Sequence, residues 1–203
     1  MSSLGRQQLE SWTRTLDIKC DKVIDFGGSQ LPISNRVKSW DVKEYVIQDL
    51  EVPHICKQEP EICFDLNKSI WDLLTNTNIN TFKEKFDLAF ALEISEYLWN
   101  PIQALKNMNF FLKEGGLLYF STHFNYPVHN IVEFDYLRYT RAGVKKILEM
   151  TGFEIVDITP RTCQMNTGYP DLMNFYSKQG MKFAKGYAGH QETGHLCIAR
   201  KIK

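Results

Sequence analysis

The sequence predicts an α/β protein in which a mostly parallel sheet of seven strands carries helices on both faces. Short apolar runs that end on an acidic residue or a glycine alternate with amphipathic stretches along the chain. This alternation favours parallel pairing, because each connecting helix returns the chain to the same end of the sheet. Residues 86–92 are almost entirely apolar, which is typical of a strand buried on both faces.

The predicted elements follow one another in a regular order. A short amphipathic helix is predicted over residues 3–16. A second helix is predicted to begin at Asn100 and Pro101 and to end before Gly115, and Thr140 can cap a third. The predicted strands are residues 22–26, 43–50, 61–66, 86–92, 117–122, 153–158 and 195–201.

Length and charge restrict the domain organisation and the class of partner. The 203 residues fit one domain, residues 1–203, with no linker that would mark a second. Lysine plus arginine equals aspartate plus glutamate, at 24 each, so the formal net charge is zero. Proteins that bind nucleic acids usually carry a basic excess, and a nucleic-acid partner is therefore not expected.

Cysteine usage and hydropathy indicate a cytoplasmic protein. The five cysteines include no CxxC pair and are odd in number, so neither a zinc site nor a disulfide framework is predicted. The first residues, MSSLGRQQLESW, lack the apolar core of a signal peptide. No run approaches the roughly 18 to 20 apolar residues that a membrane span needs.

The stretch KVIDFGGSQLP, residues 22–32, has the form of a strand followed by a glycine turn. Gly27 and Gly28 allow a tight turn and a close approach of the backbone to a ligand. The dinucleotide pattern GxGxxG is absent and Pro32 interrupts the loop, so a pyrophosphate ligand is disfavoured. A nucleoside ligand without phosphates, such as S-adenosylmethionine, places fewer demands on this loop. A tight turn without a ligand is the alternative.

Three acidic residues, Asp25, Asp49 and Asp65, lie at or near the ends of predicted strands. In sheets of this kind, ligands bind at the carboxyl ends of the strands, where the strand order reverses. Asp49 follows the first glycine by about twenty residues, where a carboxylate can accept both hydroxyls of a ribose. A solvated acid at a strand end is the alternative interpretation of Asp49.

Residues 86–122, FDLAFALEISEYLWNPIQALKNMNFFLKEGGLLYFST, resemble the core of class I S-adenosylmethionine-dependent methyltransferases, close to the group called type 11. Members typically carry a strand FDLV, an LE pair, an EH dipeptide and an LKPGG turn. The corresponding residues here are FDL at 86–88, LE at 92–93, EY at 96–97 and LKEGG at 112–116. YPVHNIVEFDYLRYT, residues 126–140, resembles a YPxH…DYWRYT segment of some members, and the whole resemblance covers residues 22–158.

The resemblance implies a Rossmann-like, seven-stranded sheet whose last strand is antiparallel and lies between the fifth and the sixth. It also implies methyl transfer from S-adenosyl-L-methionine to an oxygen or nitrogen of a small molecule or glycan. Asp25 and Gly27 would surround the methionine part of the cofactor, Asp49 would bind its ribose and Asp65 would accept from its adenine. The full implied set of cofactor-binding residues is Asp25, Gly27, Gly28, Ser29, Asp49, Asp65, Leu66, Ala91, Leu92 and Glu93.

Three residues depart from the family pattern. Ser29 replaces the second glycine of the usual GxG, which concerns the cofactor. Tyr97 replaces the histidine of EH and His123 replaces a proline after ST, and both concern the acceptor side. His123 is the candidate base that takes a proton from a hydroxyl or amine acceptor. The alternative is a loop histidine that hydrogen-bonds to its neighbours.

Other residues near the predicted site carry weaker expectations. Tyr126, Tyr136 and Tyr139 could line an acceptor pocket, although aromatic residues more often pack in the core. His129 is expected to organise its loop rather than to act as a base. The stretch GHQETGH, residues 189–195, matches no metal-ligand spacing, so no metal is predicted. Segment 159–194 is predicted as an acceptor-side lid or insertion, or as a homodimer surface.

Two other functions stay open beside the methyltransferase. A catalytically inactive S-adenosylmethionine-binding domain, with a regulatory or assembly role, would explain the altered GGS loop and Tyr97. A nicotinamide-dependent dehydrogenase is disfavoured because the glycine fingerprint is missing.

Overall fold

Seven strands form one sheet with the predicted topology. The computed structural model describes residues 3–70, 78–129, 132–164 and 190–202. The strands are β1 (Asp17–Phe26), β2 (Ser39–Asp49), β3 (Ile62–Cys63), β4 (Phe86–Ala91), β5 (Leu112–His123), β6 (Phe153–Gln164) and β7 (His190–Lys201), in the order β3-β2-β1-β4-β5-β7-β6. Strands β1 to β5 pair in parallel, and β7 is antiparallel to both β5 and β6. The predicted mostly parallel sheet with an antiparallel last strand is confirmed.

Three α-helices lie in the described part of the chain: α1 (Leu4–Thr13), α2 (Pro101–Phe111) and α3 (Arg141–Met150). Thr140 caps α3 as predicted, since its hydroxyl accepts from the N–H of Gly143. Asn100 stands at the predicted cap position of α2, but its side chain donates to the carbonyl of Asn67 instead. Pro101 occupies the first turn of α2, where its missing N–H has no consequence.

Both faces of the sheet carry apolar packing, which is the main favourable contribution to folding. On one face, α2 and α3 bury side chains such as Leu105 and Leu148 against the strands. On the other face, Ile33 packs against β1 and β4, and Trp12 of α1 meets Tyr119 edge-on with ring centroids 5.6 Å apart. The predicted helices on both faces are confirmed.

Two regions of the chain differ from a regular alternation of strands and longer helices. A one-turn 3₁₀ helix, Ile33–Asn35, follows the glycine loop where a longer crossover helix is usual, because Pro32 interrupts the chain and Asp25 accepts from the N–H of Ile33. Strand β3 is shorter than the predicted 61–66. The side chain of Asp65 accepts from the N–H of Asn67 at 2.9 Å and turns the chain out of the sheet.

The predicted segment 159–194 is only partly described. Residues 159–164 belong to β6 and residues 190–194 to β7. Residues 165–189, on which the predicted lid depends, lie outside the described residues. No helix in the described ranges is both long enough and apolar enough to cross a membrane.

Candidate functional site

A cleft of about 430 Å³ opens at the carboxyl ends of β1, β2 and β4. The strand order reverses here, since β1 lies between β2 and β4. Gly27 lines the cleft directly after β1, Asp49 at the end of β2, Asp65 after β3 and Glu93 after β4. This is the position at which open α/β sheets bind their ligands, and the volume is within the range of small-molecule pockets.

The glycine loop needs both of its glycines. Gly27 has φ +74°, a left-handed conformation that favours glycine, and a Cβ there would lie 2.4 Å from Cγ2 of Ile94. A Cβ on Gly28 would lie 2.6 Å from Oδ2 of Asp25. The N–H of Gly27 donates to the carbonyl of Gln48 at 2.7 Å, which ties the loop to β2. The loop conformation therefore depends on the absence of side chains at residues 27 and 28.

Asp25 shapes this loop and does not line the cleft. Its Oδ2 accepts from the Tyr45 hydroxyl at 2.7 Å and from the N–H of Ile33 at 3.0 Å. Burial raises the pKa of Asp25 to about 6, against the opposing effect of these two donors. The carboxylate thus joins β1, β2 and the 3₁₀ helix behind the cleft.

Asp49 is the strand-end acid that faces the cleft. Its Oδ2 accepts from the N–H of Ser29 at 3.2 Å, and its Oδ1 accepts from the N–H of Leu50 at 2.8 Å. Each oxygen retains a further lone pair for a ligand hydroxyl. Ser29, which replaces the expected glycine, acts here through its backbone N–H, while its side chain is fully buried.

Glu93 occupies a strained turn directly after β4. Its φ of +60° is unusual for a residue other than glycine and is typical of functional sites. Its N–H donates to the Ser121 hydroxyl at 2.7 Å, and that hydroxyl and the Arg161 guanidinium both donate to Oε1 of Glu93. Burial alone would raise the pKa of Glu93, but the charges of His123 and Arg161 outweigh it and hold the pKa well below its usual range.

His123, the predicted base, is buried beside Glu93 and does not line the cleft. It is 1% exposed, and its Nε2 lies 3.4 Å from Oε2 of Glu93 and 3.3 Å from Oε1 of Glu96. Burial lowers the pKa of His123, but the two carboxylates outweigh it and raise the pKa to about 9. At neutral pH the ring therefore carries a proton and is not ready to accept one. Its role as base stays a prediction.

A second histidine lies on the other side of Glu96. Nδ1 of His129 is 3.0 Å from Oδ2 of Asp135, and its Nε2 is 3.8 Å from Oε1 of Glu96. The Arg138 guanidinium donates to Asp135, and together with the donation from His129 it holds the pKa of Asp135 well below its usual range. His129 is thus bonded within its own loop.

Five of the predicted cofactor residues line the cleft and five do not. Those in the lining are Gly27, Asp49, Asp65, Leu66 and Glu93. The other five are Asp25, Gly28, Ser29, Ala91 and Leu92. Of the three tyrosines predicted for an acceptor pocket, Tyr136 lines the cleft, Tyr126 packs against His123, and Tyr139 is buried with its hydroxyl donating to the carbonyl of Ser95.

Much of the lining, most of it apolar, was not predicted from the sequence. The missed residues include Leu50, Val52, Pro53, His54, Ile55, Ile94, Leu98, Trp99 and Phe134. Most of them lie in loops directly after a strand and belong to no motif. Exposed apolar residues directly after a strand-end acid, as in residues 50–55, are the one signal that could have identified part of this set.

His195 belongs to a separate network. His195 is fully buried, with its Nδ1 3.1 Å from the Thr122 hydroxyl and its Nε2 3.1 Å from Oε2 of Glu192. Glu192 also pairs with Arg141. These contacts join β5, β7 and the start of α3.

Comparison with known proteins identifies the fold. No protein-family model matches the chain, and no curated protein matches it. A solved structure from Bacillus halodurans C-125, designated a methyltransferase, has a TM-score of 0.61 at 15% identity and covers 100% of both chains. A SAM-dependent methyltransferase from Archaeoglobus fulgidus has a TM-score of 0.58 at 15% identity, covering 98% of this chain and 92% of its own. The cyclase SpnF has a TM-score of 0.56 at 15% identity, covering 96% and 80%. The chain therefore has the fold of class I S-adenosylmethionine-dependent methyltransferases.

Proposed function

We propose that this protein is an S-adenosylmethionine-dependent methyltransferase that acts on an oxygen or nitrogen atom of a small molecule or glycan. The observation that carries the proposal is the carboxylate of Asp49, which faces the cleft from the end of β2 beside the glycine loop. The fold, which solved methyltransferase structures share, supports the same cofactor.

The residues of the cleft fit this cofactor. Asp49 would accept the ribose hydroxyls, Asp65 would accept from the adenine amino group, and Leu66 would pack on the adenine ring. Glu93 and the backbone at Gly27 would lie at the methionine end. Three carboxylates line the cleft, which favours hydroxyl donors and a cationic sulfonium and disfavours a pyrophosphate.

The bound cofactor would supply an electrophilic methyl group on a sulfonium. The task of the protein is then to align the acceptor atom with that methyl group and to exclude water. Ser121 and Arg161 hold Glu93 in place by hydrogen bonds, which supports a rigid methionine end of the cleft. For a hydroxyl or amine acceptor a base must take the proton, and His123 is the candidate from the sequence. Its burial and its ion pairs support instead a role in positioning Glu93.

The lining of the cleft favours an acceptor with an apolar face. Val52 is 81% exposed, and Trp99, Phe134 and Tyr136 are each more than 40% exposed. All four line the same cleft. Flat aromatic faces suit a sugar ring or a small apolar acceptor, and the acidic lining disfavours a nucleic-acid backbone.

A cofactor-binding domain without catalysis is the second candidate. The observation that favours it is that Glu93 and His123 are both engaged in ion pairs, which leaves neither ready to take a proton. The fold by itself does not decide between the two candidates, because the cyclase SpnF shares it.

Calorimetric titration of S-adenosylhomocysteine tests the proposal. We expect micromolar binding to the intact protein and its loss in Asp49→Ala. The matched control is Ser29→Ala, which keeps the backbone N–H and should keep the affinity. Absence of binding by folded wild-type protein would overturn the proposed function. Binding without turnover across a panel of hydroxyl and amine acceptors would favour the non-catalytic candidate.

A further inference from the structure

Three side chains from residues 96–129 converge beside the cleft: Glu96, His123 and His129. Glu96 and His123 are each 1% exposed, and the side chain of His129 is 23% exposed. We propose that Oε1 of Glu96 and the Nε2 atoms of the two histidines bind a divalent transition metal ion of the zinc class. Two imidazoles and one carboxylate form a donor set that zinc accepts in proteins.

The distances agree with coordination of a single ion. Oε1 of Glu96 lies 3.3 Å from Nε2 of His123 and 3.8 Å from Nε2 of His129, and all three atoms lie within 4.8 Å of one another. Ligand atoms about 2.0 to 2.1 Å from a tetrahedral ion are about 3.4 Å apart. The three atoms therefore surround a position that one ion can occupy after small adjustments.

His123 gives an independent indication of a ligand. Its Nε2 is buried and makes no hydrogen bond with any described residue. The oxygens of Glu93 and Glu96 lie 3.4 and 3.3 Å from it, longer than a usual charge-assisted hydrogen bond. A metal ion that replaces the proton on Nε2 would satisfy this nitrogen with a direct bond.

The tautomer of His129 supports the same conclusion. Its Nδ1 faces the carboxylate of Asp135 at 3.0 Å, so Nδ1 carries the proton and donates it. Nε2 of His129 then faces Oε1 of Glu96 at 3.8 Å, which is too long for a hydrogen bond and leaves room for an ion between the two atoms. A carboxylate on the second nitrogen of a metal-binding histidine is a common arrangement in metal sites.

The charges of the surrounding residues leave room for a cation. Glu93 pairs with Arg161 and Asp135 pairs with Arg138, whereas the ion-pair contacts of Glu96 are with the two histidines. The positive charge beside Glu96 is therefore that of the His123 ring, and a metal ion that replaces the ring proton would compensate the same carboxylate. The contact between NH1 of Arg161 and Nδ1 of His123 is 3.5 Å, too long to determine the tautomer of His123.

The proposed metal site borders the cleft through Glu93. Oε2 of Glu93 lies 3.4 Å from Nε2 of His123, and Glu93 lines the cleft. Glu93 therefore connects the proposed metal site to the cleft. If the proposed methyltransferase function holds, an acceptor hydroxyl that reached the ion would have a lower pKa and would need no histidine base. This consequence rests on the proposed function, whereas the metal site itself does not.

Cobalt(II) titration of metal-free protein tests the site directly. The intact chain, dialysed against a chelator, is titrated with cobalt(II) alone and then with zinc(II). We expect visible absorption bands of coordinated cobalt that saturate at one ion per chain, a rise in melting temperature, and loss of the bands when zinc displaces cobalt. Glu96→Gln and His129→Ala should abolish the bands, and Asp135→Asn should weaken binding by about 10- to 100-fold.

The matched control is Glu133→Gln, which neutralises an exposed carboxylate in the neighbouring 3₁₀ helix, Val132–Phe134, and should bind cobalt as the intact chain does. Circular dichroism checks that each variant is folded. Absence of bands in the folded wild-type protein, or unchanged binding in a folded His129→Ala variant, would overturn the proposal. Because the titration contains no S-adenosylhomocysteine, its failure and a failure of cofactor binding are separate results.

Discussion

Arg161 and Glu93 form an ion pair that joins β6 to the turn after β4, across 68 positions of the sequence. Arg161 is 1% exposed and the side chain of Glu93 is 18% exposed. Nε of Arg161 has no hydrogen-bond partner among the described residues. The guanidinium therefore depends mainly on Glu93 for compensation of its charge, and Glu93 depends on it to keep the position from which it lines the cleft.

Removal of one partner of this pair should be strongly destabilising. We expect Arg161→Met to lower the free energy of unfolding by about 3 to 5 kcal/mol, because the largely buried carboxylate of Glu93 loses its contacting guanidinium and keeps only the His123 ring, 3.4 Å away, as a described positive partner. The double variant Arg161→Met/Glu93→Gln should recover part of that loss. Urea denaturation of the single and double variants measures the coupling.

A surface ion pair between neighbouring strands serves as the control. Arg200 of β7 and Glu154 of β6 lie 3.1 Å apart with about half of each side chain exposed. Arg200→Met should change the free energy of unfolding by less than about 1 kcal/mol. Equal effects of the two arginine variants would show that burial of Arg161 has no energetic consequence.

Alanine substitutions at two glycines can distinguish the effect of steric overlap from that of backbone strain. Gly27 and Gly115 have φ of +74° and +76°, but a Cβ on Gly115 meets nothing within 4 Å, whereas one on Gly27 would lie 2.4 Å from Ile94. Gly115→Ala should lower the free energy of unfolding by about 1 to 2 kcal/mol, because of the left-handed backbone alone. Gly27→Ala should lower it further and should also abolish S-adenosylhomocysteine binding.

The additional cost at Gly27 has a specific test. Ile94→Ala removes the methyl group that an alanine at residue 27 would overlap, so the double variant Gly27→Ala/Ile94→Ala should be more stable than the sum of the single effects predicts. Thermal unfolding and calorimetric titration of the same samples measure both quantities. Simple additivity would mean that the backbone conformation, and not the contact with Ile94, makes glycine necessary.

Asp25 should give the protein a distinctive pH dependence. Its pKa of about 6 in the folded protein exceeds the ordinary value of 3.8, so the folded state binds the proton more tightly than the unfolded state. This contribution to stability is fully present below pH 3.8 and is lost as the pH rises through 6. Nearby, Tyr45 and Arg36 lower the pKa and Asp49 raises it.

Asp25→Asn removes this titration. The stability of the variant relative to wild type should rise by up to about 3 kcal/mol between pH 4 and pH 8, because wild type loses this contribution over that range and one pKa unit corresponds to about 1.4 kcal/mol. Tyr45→Phe, which removes a donor to Asp25, should shift the window to higher pH. Denaturation curves at several pH values measure both, and a constant difference between Asp25→Asn and wild type would contradict the assigned pKa.

Local sequence patterns determined the strands, the turn and the general position of the site. Apolar runs such as residues 86–92 predict strands because a strand covered on both faces must be apolar throughout, and the structure places β4 there. Asp49 and Gly27 were identified for the same local reason, since strand ends and glycine turns are encoded by neighbouring residues. Similarity to a known family supplied the antiparallel β7, which alternation of strands and helices does not predict.

Only the tertiary structure decided what each polar residue contacts. Asp25 and Asp49 look alike as strand-end acids, but Tyr45 and the turn at Ile33 bury the first behind the cleft and leave the second facing it. Likewise no local pattern pairs Glu96 with His123 and His129, because the sheet brings the 3₁₀ helix Ser95–Tyr97 next to the end of β5 and the loop after it. The sequence determined the sheet and its binding edge through local hydrophobic and turn preferences. Burial and charge pairing depend on residues far apart in the chain, so only the folded structure decided them.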